Sequence, residues 1–468
     1  MLSLELIDAG LILARRRAEE TSILAEAPGV ALLEEERTLT GEAAARRLRV
    51  KPLLAQTNFW RTLSTAPLTR PSRLIQTSAD LAYAQAESLL RGHDDGDGML
   101  LAVPAGYSRE QLGLLLGVIN ETGVRVAGLV DAALAACSLQ PAPARLLHLD
   151  LELHQALLTV LEYTGGERPG LKRSRYEILL QHGLLAIQQT WMHFIAEQFV
   201  RKTRFDPLHD AANEQLLFDR LPEWLATFAH EERAVLETTF GGSKLEVEIE
   251  RAQLIAAVER HYAQLQSLVQ SARVAGMPIE LRVSHRVAAL PGLLDRLQAL
   301  RDCRVEVLER GAAALGALHH AAAIARPVDA LALVYHLPVA AATGEATESS
   351  EQHIEATPPA LRPTHVLYQG RAWRITDVPL VVGWAVEHAP RALVLPAPGP
   401  GISRKHCSLL RRNGAVVIED HSTYGSYVND ERVVGRTTLT VGDRVRLGSP
   451  GVTLEMIQLV NDDGAPQD

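Results

Sequence analysis

Hydroxyl, guanidinium and imidazole groups gather in two short runs of this chain, Ser403-Arg404-Lys405-His406 and Asp420-His421-Ser422-Thr423-Tyr424-Gly425-Ser426-Tyr427-Val428-Asn429. Ser403 and Thr423 can donate hydroxyl hydrogen bonds and Arg404 can supply charge. Such donors, held on loops at one end of a rigid scaffold, suit a phosphate dianion on a peptide, with neighbouring residues reading the next side chain. A second set is acidic: Asp8, Asp131 and Asp150 each close an apolar run. Asp readily bonds nearby backbone amides, so the simplest reading of Asp8 and Asp150 is that they cap hairpin turns.

Other candidates carry less. Arg15-Arg16-Arg17 reads as a solvated strand end. His319-His320, and His148 with His154, have no carboxylate or thiolate at ligand spacing on a shared face, so no metal is expected. Neither a dinucleotide or Walker fingerprint nor a Gly-any-Ser-any-Gly nucleophile elbow occurs, and there is no solenoid-period repeat.

The elements that must position these groups fall into two patterns. The segment Ala342 to Pro363, rich in Glu, Ser, Thr and Pro, reads as a flexible acidic linker. Before it the order is α/β. Leu4–Asp8 and Leu11–Arg15 read as a hairpin around Ala9-Gly10, with further strands at Met99–Val103 and Leu146–Leu153. Ser108 to Thr122 has an N-cap serine, helical leucine spacing and Gly123 as a stop. Tyr176–Phe199, Ala211–Ala229 and Arg251–Ala275 read as helices, and Leu245–Glu250 alternates as a strand. After the linker, short apolar runs broken by Gly, Pro, Asn and Asp predict an all-β module.

Composition bounds the function classes. A length of 468 residues calls for several domains, and 47% hydrophobic with 22% charged residues is enough to bury a core. The net charge of −9, with dispersed basic residues, gives no nucleic-acid or acidic-lipid footprint. Cys137, Cys303 and Cys407 are too few and too far apart for a disulfide framework. The opening MLSLELIDAG lacks the marks of a signal peptide and no uncharged apolar run is long enough to span a bilayer. A cytoplasmic protein without membrane insertion is expected.

With Gly383, Val441-Gly442-Asp443 and Arg446-Leu447-Gly448 added, the C-terminal runs resemble the forkhead-associated (FHA) family in residue type and spacing. The resemblance implies a β-sandwich over residues 364–461 that docks a protein partner, in the family normally one bearing phosphothreonine, through Ser403, Arg404, Thr423, Tyr424 and Asn429. It assigns His406 a structural role beneath the loop and lets Gly425 make the turn. Two positions depart from the family: Trp384 stands where an arginine follows Gly383, and Tyr424 where an asparagine follows Thr423. The family's guanidinium contact is therefore lost. Arg391 is a candidate substitute, and phosphate-independent docking is the other reading.

Residues 1–325 resemble, weakly per position, the actin-like ATPase superfamily, and most of all the seventy-kilodalton heat-shock chaperones. The likeness rests on IDAG, on Val103-Pro104-Ala105 with Gly123 and Asp131, on FDPLHDAANEQLLFDRLPEWLATF, and on VSHRVAALPGLLDRL. It implies a two-lobed, ribonuclease H-like α/β body closing on a nucleotide, with residues 326–363 as extension and linker. In active relatives Asp8, Asp131 and Asp150 would hold magnesium-bound water and orient the attacking water, with Asp8, Gly10 and Asp150 lining the cofactor. The glycines that let backbone approach phosphate are depleted, however. The first loop is Asp8-Ala9-Gly10-Leu11, the second is Asp150-Leu151-Glu152-Leu153-His154 with both glycines gone, and Ser284-His285 replaces a Gly-Gly pair. Glu152 would repel a phosphate. The expectation is a pseudo-ATPase body on an interaction scaffold, with no cofactor required. The alternative is an ATP- and magnesium-dependent conformational switch, and a chaperone for unfolded clients ranks last.

Overall fold

The computed structural model describes the chain except residues 19, 94–95, 166–168, 241–242, 275–277, 328–330, 342–361, 369–370, 387–388, 396–400, 413, 424, 430, 434, 449–450 and 459–468. The linker reading thus lies almost wholly outside the described residues. Two compact units emerge, Met1–Leu268 with Ile279–Gly344, and Val269–Pro278 with Glu345–Asp468.

The first unit uses one strand plan twice. Leu2–Glu5, Leu11–Arg17 and Glu20–Ala27 form an antiparallel meander. On the far side of Leu2–Glu5, Met99–Val103 and Val126–Asp131 add in parallel. The second sheet repeats this with the meander Arg145–Leu151, Gln155–Thr164 and Gly170–Leu180, and parallel strands Ile279–Val283 and Cys303–Val307. Parallel neighbours need crossovers, and the helices Ser78–Leu90 and Arg109–Glu121 serve the first sheet. Thr77 with Asp80, and Ser108 with Gln111, close capping boxes at their starts. Each sheet gains a sixth strand from one short stretch, Leu333–Val334 on the first and His336–Leu337 on the second.

Three sequence readings change. Tyr176 to Leu180 is strand, not helix, because it continues Gly170–Leu180 and pairs with Gln155–Thr164; the helix begins at Leu184 and runs to Thr203. The expected single helix Arg251–Ala275 is two, Arg251–Ala257 and Glu259–Ser271, broken at Val258, whose φ of −103° and ψ of 12° leave the helical region. The first strand ends at Glu5, leaving Asp8 in the turn.

Where the two sheets meet, helices Ala132–Ala136 and Ala312–His319 approach through small residues, and a Cβ on Gly316 would lie 1.9 Å from the Ala135 carbonyl oxygen. The alanine-rich composition of both segments is what permits this approach, since larger side chains would hold the helices apart.

The second unit is a sandwich. One sheet runs Arg371–Arg374, His365–Tyr368, Val452–Ile457, Arg444–Leu447, Ser426–Val428 and Glu431–Arg432; the other runs Ala392–Val394, Leu380–Gly383, Cys407–Arg412, Ala415–Asp420 and Arg436–Leu439. Alternate residues of both, among them Val382, Leu409, Ile418, Val445 and Leu454, are buried in one core.

Gly316→Ala should destabilise the chain by about 1–3 kcal/mol because neither helix backbone can yield. Gly117→Ala, on an exposed helical position with nothing within 4 Å of the added carbon, should stabilise it by about 0.5–1 kcal/mol. Thermal melts of the two variants test both signs.

Candidate functional site

At the junction of the first unit's two sheets lies a buried ion cluster. Glu5 ends the first strand, and Gly10 closes the following turn by donating its N–H to the Ile7 carbonyl at 2.9 Å. From the second sheet come Asp150 and, in the next turn, Glu152. Between them sits the Arg286 guanidinium, carried by the short helix His285–Ala288 that Ser284 caps. Arg286 Nη2 donates to Glu5 Oε1 at 2.6 Å and to the Gly10 carbonyl at 2.7 Å, while Nη1 faces Asp150 Oδ2 at 3.3 Å. Glu5 Oε2 also accepts from the Ala314 amide at 3.4 Å.

Burial and charge compete at each group. Burial alone would weaken Arg286's hold on its proton, but the Asp150 and Glu5 carboxylates outweigh it and push its pKa up. For Asp150 burial works upward, and Arg286, then His148, bring it below the ordinary carboxylate range. Glu5 stays raised because burial exceeds the help from Arg286. Glu152 accepts from Gln155 Nε2 at 2.6 Å, and burial together with the Asp8 charge pushes its carboxyl up to about 8. Asp8 accepts the Leu153 amide at 2.7 Å through Oδ1, its Oδ2 has no partner among the described residues, and burial raises it to about 6.

Asp8 and Asp150 therefore do share one neighbourhood, but Asp131 is spent elsewhere. Its Oδ1 caps helix Ala132–Ala136 by accepting from Leu134 N at 3.0 Å, and its Oδ2 pairs with Arg173 at 2.6 Å. The space lined by Glu5, Ala132, Asp150, Ser284 and Arg286 is about 10 Å³, room for roughly one water. Among the described residues no three His, Cys, Asp or Glu side chains are grouped to hold a metal ion. Sequence reasoning missed Glu5 and Arg286, whose only local signal is a charge inside an otherwise apolar stretch.

In the second unit the two runs become facing loops tied by His406. This buried imidazole accepts the Ser403 amide at Nδ1, 3.1 Å away, and its Nε2 lies 3.1 Å from the Gly425 carbonyl. Those partners require the neutral ring with its proton on Nε2, and burial lowers the His406 pKa accordingly. The loops also bond directly, Thr423 N donating to Ser403 Oγ at 3.1 Å. Asp420 Oδ1 braces the second loop by accepting from Ser422 Oγ at 2.8 Å and Ser426 Oγ at 2.9 Å. Gly383 allows a close crossing, since a Cβ there would lie 2.1 Å from the Arg404 carbonyl oxygen.

This bracing leaves donors outward. Arg404, Lys405 and Thr423 are exposed, the Arg404 guanidinium has no partner among the described residues, and Ser403 still has its hydroxyl proton to give. Asn429 is committed to a hairpin: its Nδ2 donates to Asp443 Oδ1 at 2.7 Å and its Oδ1 accepts from Arg444 N at 2.9 Å. Arg391 bonds Thr376 and the carbonyls of Val378 and Arg374, so its guanidinium is engaged away from these loops. Trp384 packs against the sandwich core. Tyr424 lies outside the described residues.

This unit is a β-sandwich with exposed donors on two facing loops. Residues 381–448 match the family model of the FHA domain, so the chain carries an FHA domain there, a protein-interaction module of the phosphopeptide-recognition class. No curated protein matches the chain. Among the described residues no helix is long and apolar enough to cross a membrane.

The raised Glu152 carboxyl makes a signed prediction. Above its unfolded value of 4.5 the native state binds more protons than the unfolded chain, so stability should fall as pH rises from about 4.5 to about 8. Glu152→Gln should flatten that slope and raise stability at the alkaline end, as read by denaturant titrations across pH. An unchanged slope would rule out the buried, protonated carboxyl.

Proposed function

We propose that this protein is a non-catalytic interaction scaffold in which the FHA unit docks a phosphorylated peptide and the first unit is an actin-like body that has exchanged its nucleotide for an internal ion cluster. The repeated strand plan supports the actin-like reading, because a duplicated three-strand meander with two parallel strands is the architecture that the resemblance implies. The observation that carries the non-catalytic reading is Arg286, whose guanidinium is bonded to the Gly10 carbonyl in the first turn from which phosphates would be held and faces Asp150 at the entry to the second. It supplies to Asp150 and Glu5 the positive charge that a nucleotide's magnesium ion would otherwise bring. An ATP-driven switch would require Arg286 to leave three acceptors, uncovering buried carboxylates at a cost of about 3–5 kcal/mol.

For the FHA unit, phosphate-dependent docking rests on the exposed charges of Arg404 and Lys405, without the guanidinium lost at Trp384, and on the Ser403 and Thr423 hydroxyls. Ser403 and Thr423 are held together by the loop-to-loop bond, so little ordering is needed when a peptide arrives.

Two measurements test these readings. In fluorescence anisotropy against a phosphothreonine peptide pool, the phosphorylated peptides should bind more tightly than their unphosphorylated twins. Arg404→Ala should weaken that binding by about tenfold or more, since a charged hydrogen bond contributes about 1.5–3 kcal/mol. Equal affinity for both peptide forms would leave phosphate-independent docking. Calorimetric titration of the full chain with magnesium ATP should give no heat that depends on Asp150. A one-site heat abolished by Asp150→Asn would restore the nucleotide switch.

A further inference from the structure

The first unit also holds a cavity of about 670 Å³, within the size range of small-molecule sites, that adjoins the ion cluster but is lined by other charged groups. Its lining combines two guanidiniums, Arg49 and Arg61, with the amides of Gln181 and Gln189 and an apolar wall that includes Leu153 and Leu185. One carboxylate, Glu214, lines it as well, 3.5 Å from Arg49 Nη1, so the lining keeps a net positive charge.

Two features, at Arg61 and Gln181, mark the cavity as unfinished by its own side chains. Arg49 is fixed in place by donating to Gln189 Oε1 at 2.6 Å and by lying over the Phe218 ring at 4.8 Å. Arg61 uses Nε to bond Asn58 Oδ1 at 2.7 Å, and the rest of its fork makes no hydrogen bond among the described residues, although its charge also acts on Asp8 and Glu152. Gln181 is held at φ 64°, a left-handed conformation unusual for a residue other than glycine, by its amide bond to the His154 carbonyl at 3.0 Å. Strain of this kind concentrates where a side chain must be aimed.

We propose that this cavity binds a small organic anion, a carboxylate or phosphate group carried on an apolar body. The terminal nitrogens of Arg61, with the Arg49 charge on the same lining, suit the oxygens of either anion, the glutamine amides add neutral hydrogen bonds, and the leucine wall covers the apolar part. Such a ligand would bridge Arg61 from the first sheet's half and Gln181 from the second's, so occupancy would fasten the two halves at a second point besides Arg286.

The test uses the full chain and two probes, octanoate and inorganic pyrophosphate, in calorimetric titrations up to millimolar concentration. Saturable one-site binding of at least one probe is expected, with octanoate favoured if the natural ligand is a carboxylate and pyrophosphate if it is a phosphate. Arg61→Gln, at a solvent-reachable position, should weaken binding by about tenfold or more. Arg49→Lys, which keeps the charge but loses the fork, should weaken it less. Arg404→Ala, in the other unit, should leave it unchanged, which separates this site from the FHA loops. Saturable heat from neither probe, heat indifferent to Arg61→Gln, or heat abolished by Arg404→Ala would overturn the proposal.

Discussion

The first unit is organised around a charge that it cannot discard. Arg286 is almost wholly buried, and a guanidinium in that setting is tolerable only while carboxylates surround it. Glu5 and Gly10 come from one sheet and Asp150 from the other, so satisfying Arg286 also fixes how the two sheets meet. Glu5 is in turn bonded to the first turn of the helix Ala312–His319, which packs through Gly316 onto the helix that Asp131 caps. The pair Asp8 and Glu152 sits on the same foundation. Their raised carboxyls reflect a centre with more acids than its one buried arginine can balance, which the fold meets by keeping a proton.

The FHA unit solves a smaller version of the problem with neutral groups. His406 and Asp420 absorb the backbone and hydroxyl donors that would otherwise compete for one another, and the loops are set before any ligand arrives. The outer layer, Arg404, Lys405 and Thr423, is left uncommitted because the inner layer is complete. Bracing by a neutral, buried imidazole spares the site a second cation behind the phosphate position, so the electrostatics facing a partner belong to the exposed residues alone.

The two units differ in how much of their site could be read from the chain. In the FHA unit the working residues are close in sequence, and loop chemistry constrains residue type locally: Gly383 where backbone crosses backbone, Asp420 two residues before a bonded serine, His406 three residues after the amide it accepts. Residues 403–429 therefore announced the module. The commitments of Asn429 to Asp443 and of Arg391 to Thr376 were hidden, because a polar side chain in a turn is compatible with either a ligand or a neighbour until its neighbours are located.

In the first unit the sequence by itself determined the alternation of strands and capped helices, and it showed that Asp150 to His154 holds no glycine, since both depend on residues adjacent in the chain. It did not determine that Tyr176 to Leu180 would be strand, because a short apolar run fits either period until a pairing partner is at hand. Nor did it reveal what fills the centre. Arg286 meets Asp150 across 136 positions and Glu5 across 281, a coincidence of distant residues that leaves no periodicity behind. Only the closure of two sheets on one another decided that this arginine would stand between the turns, because a buried charge selects its partners by distance in space rather than by spacing along the chain.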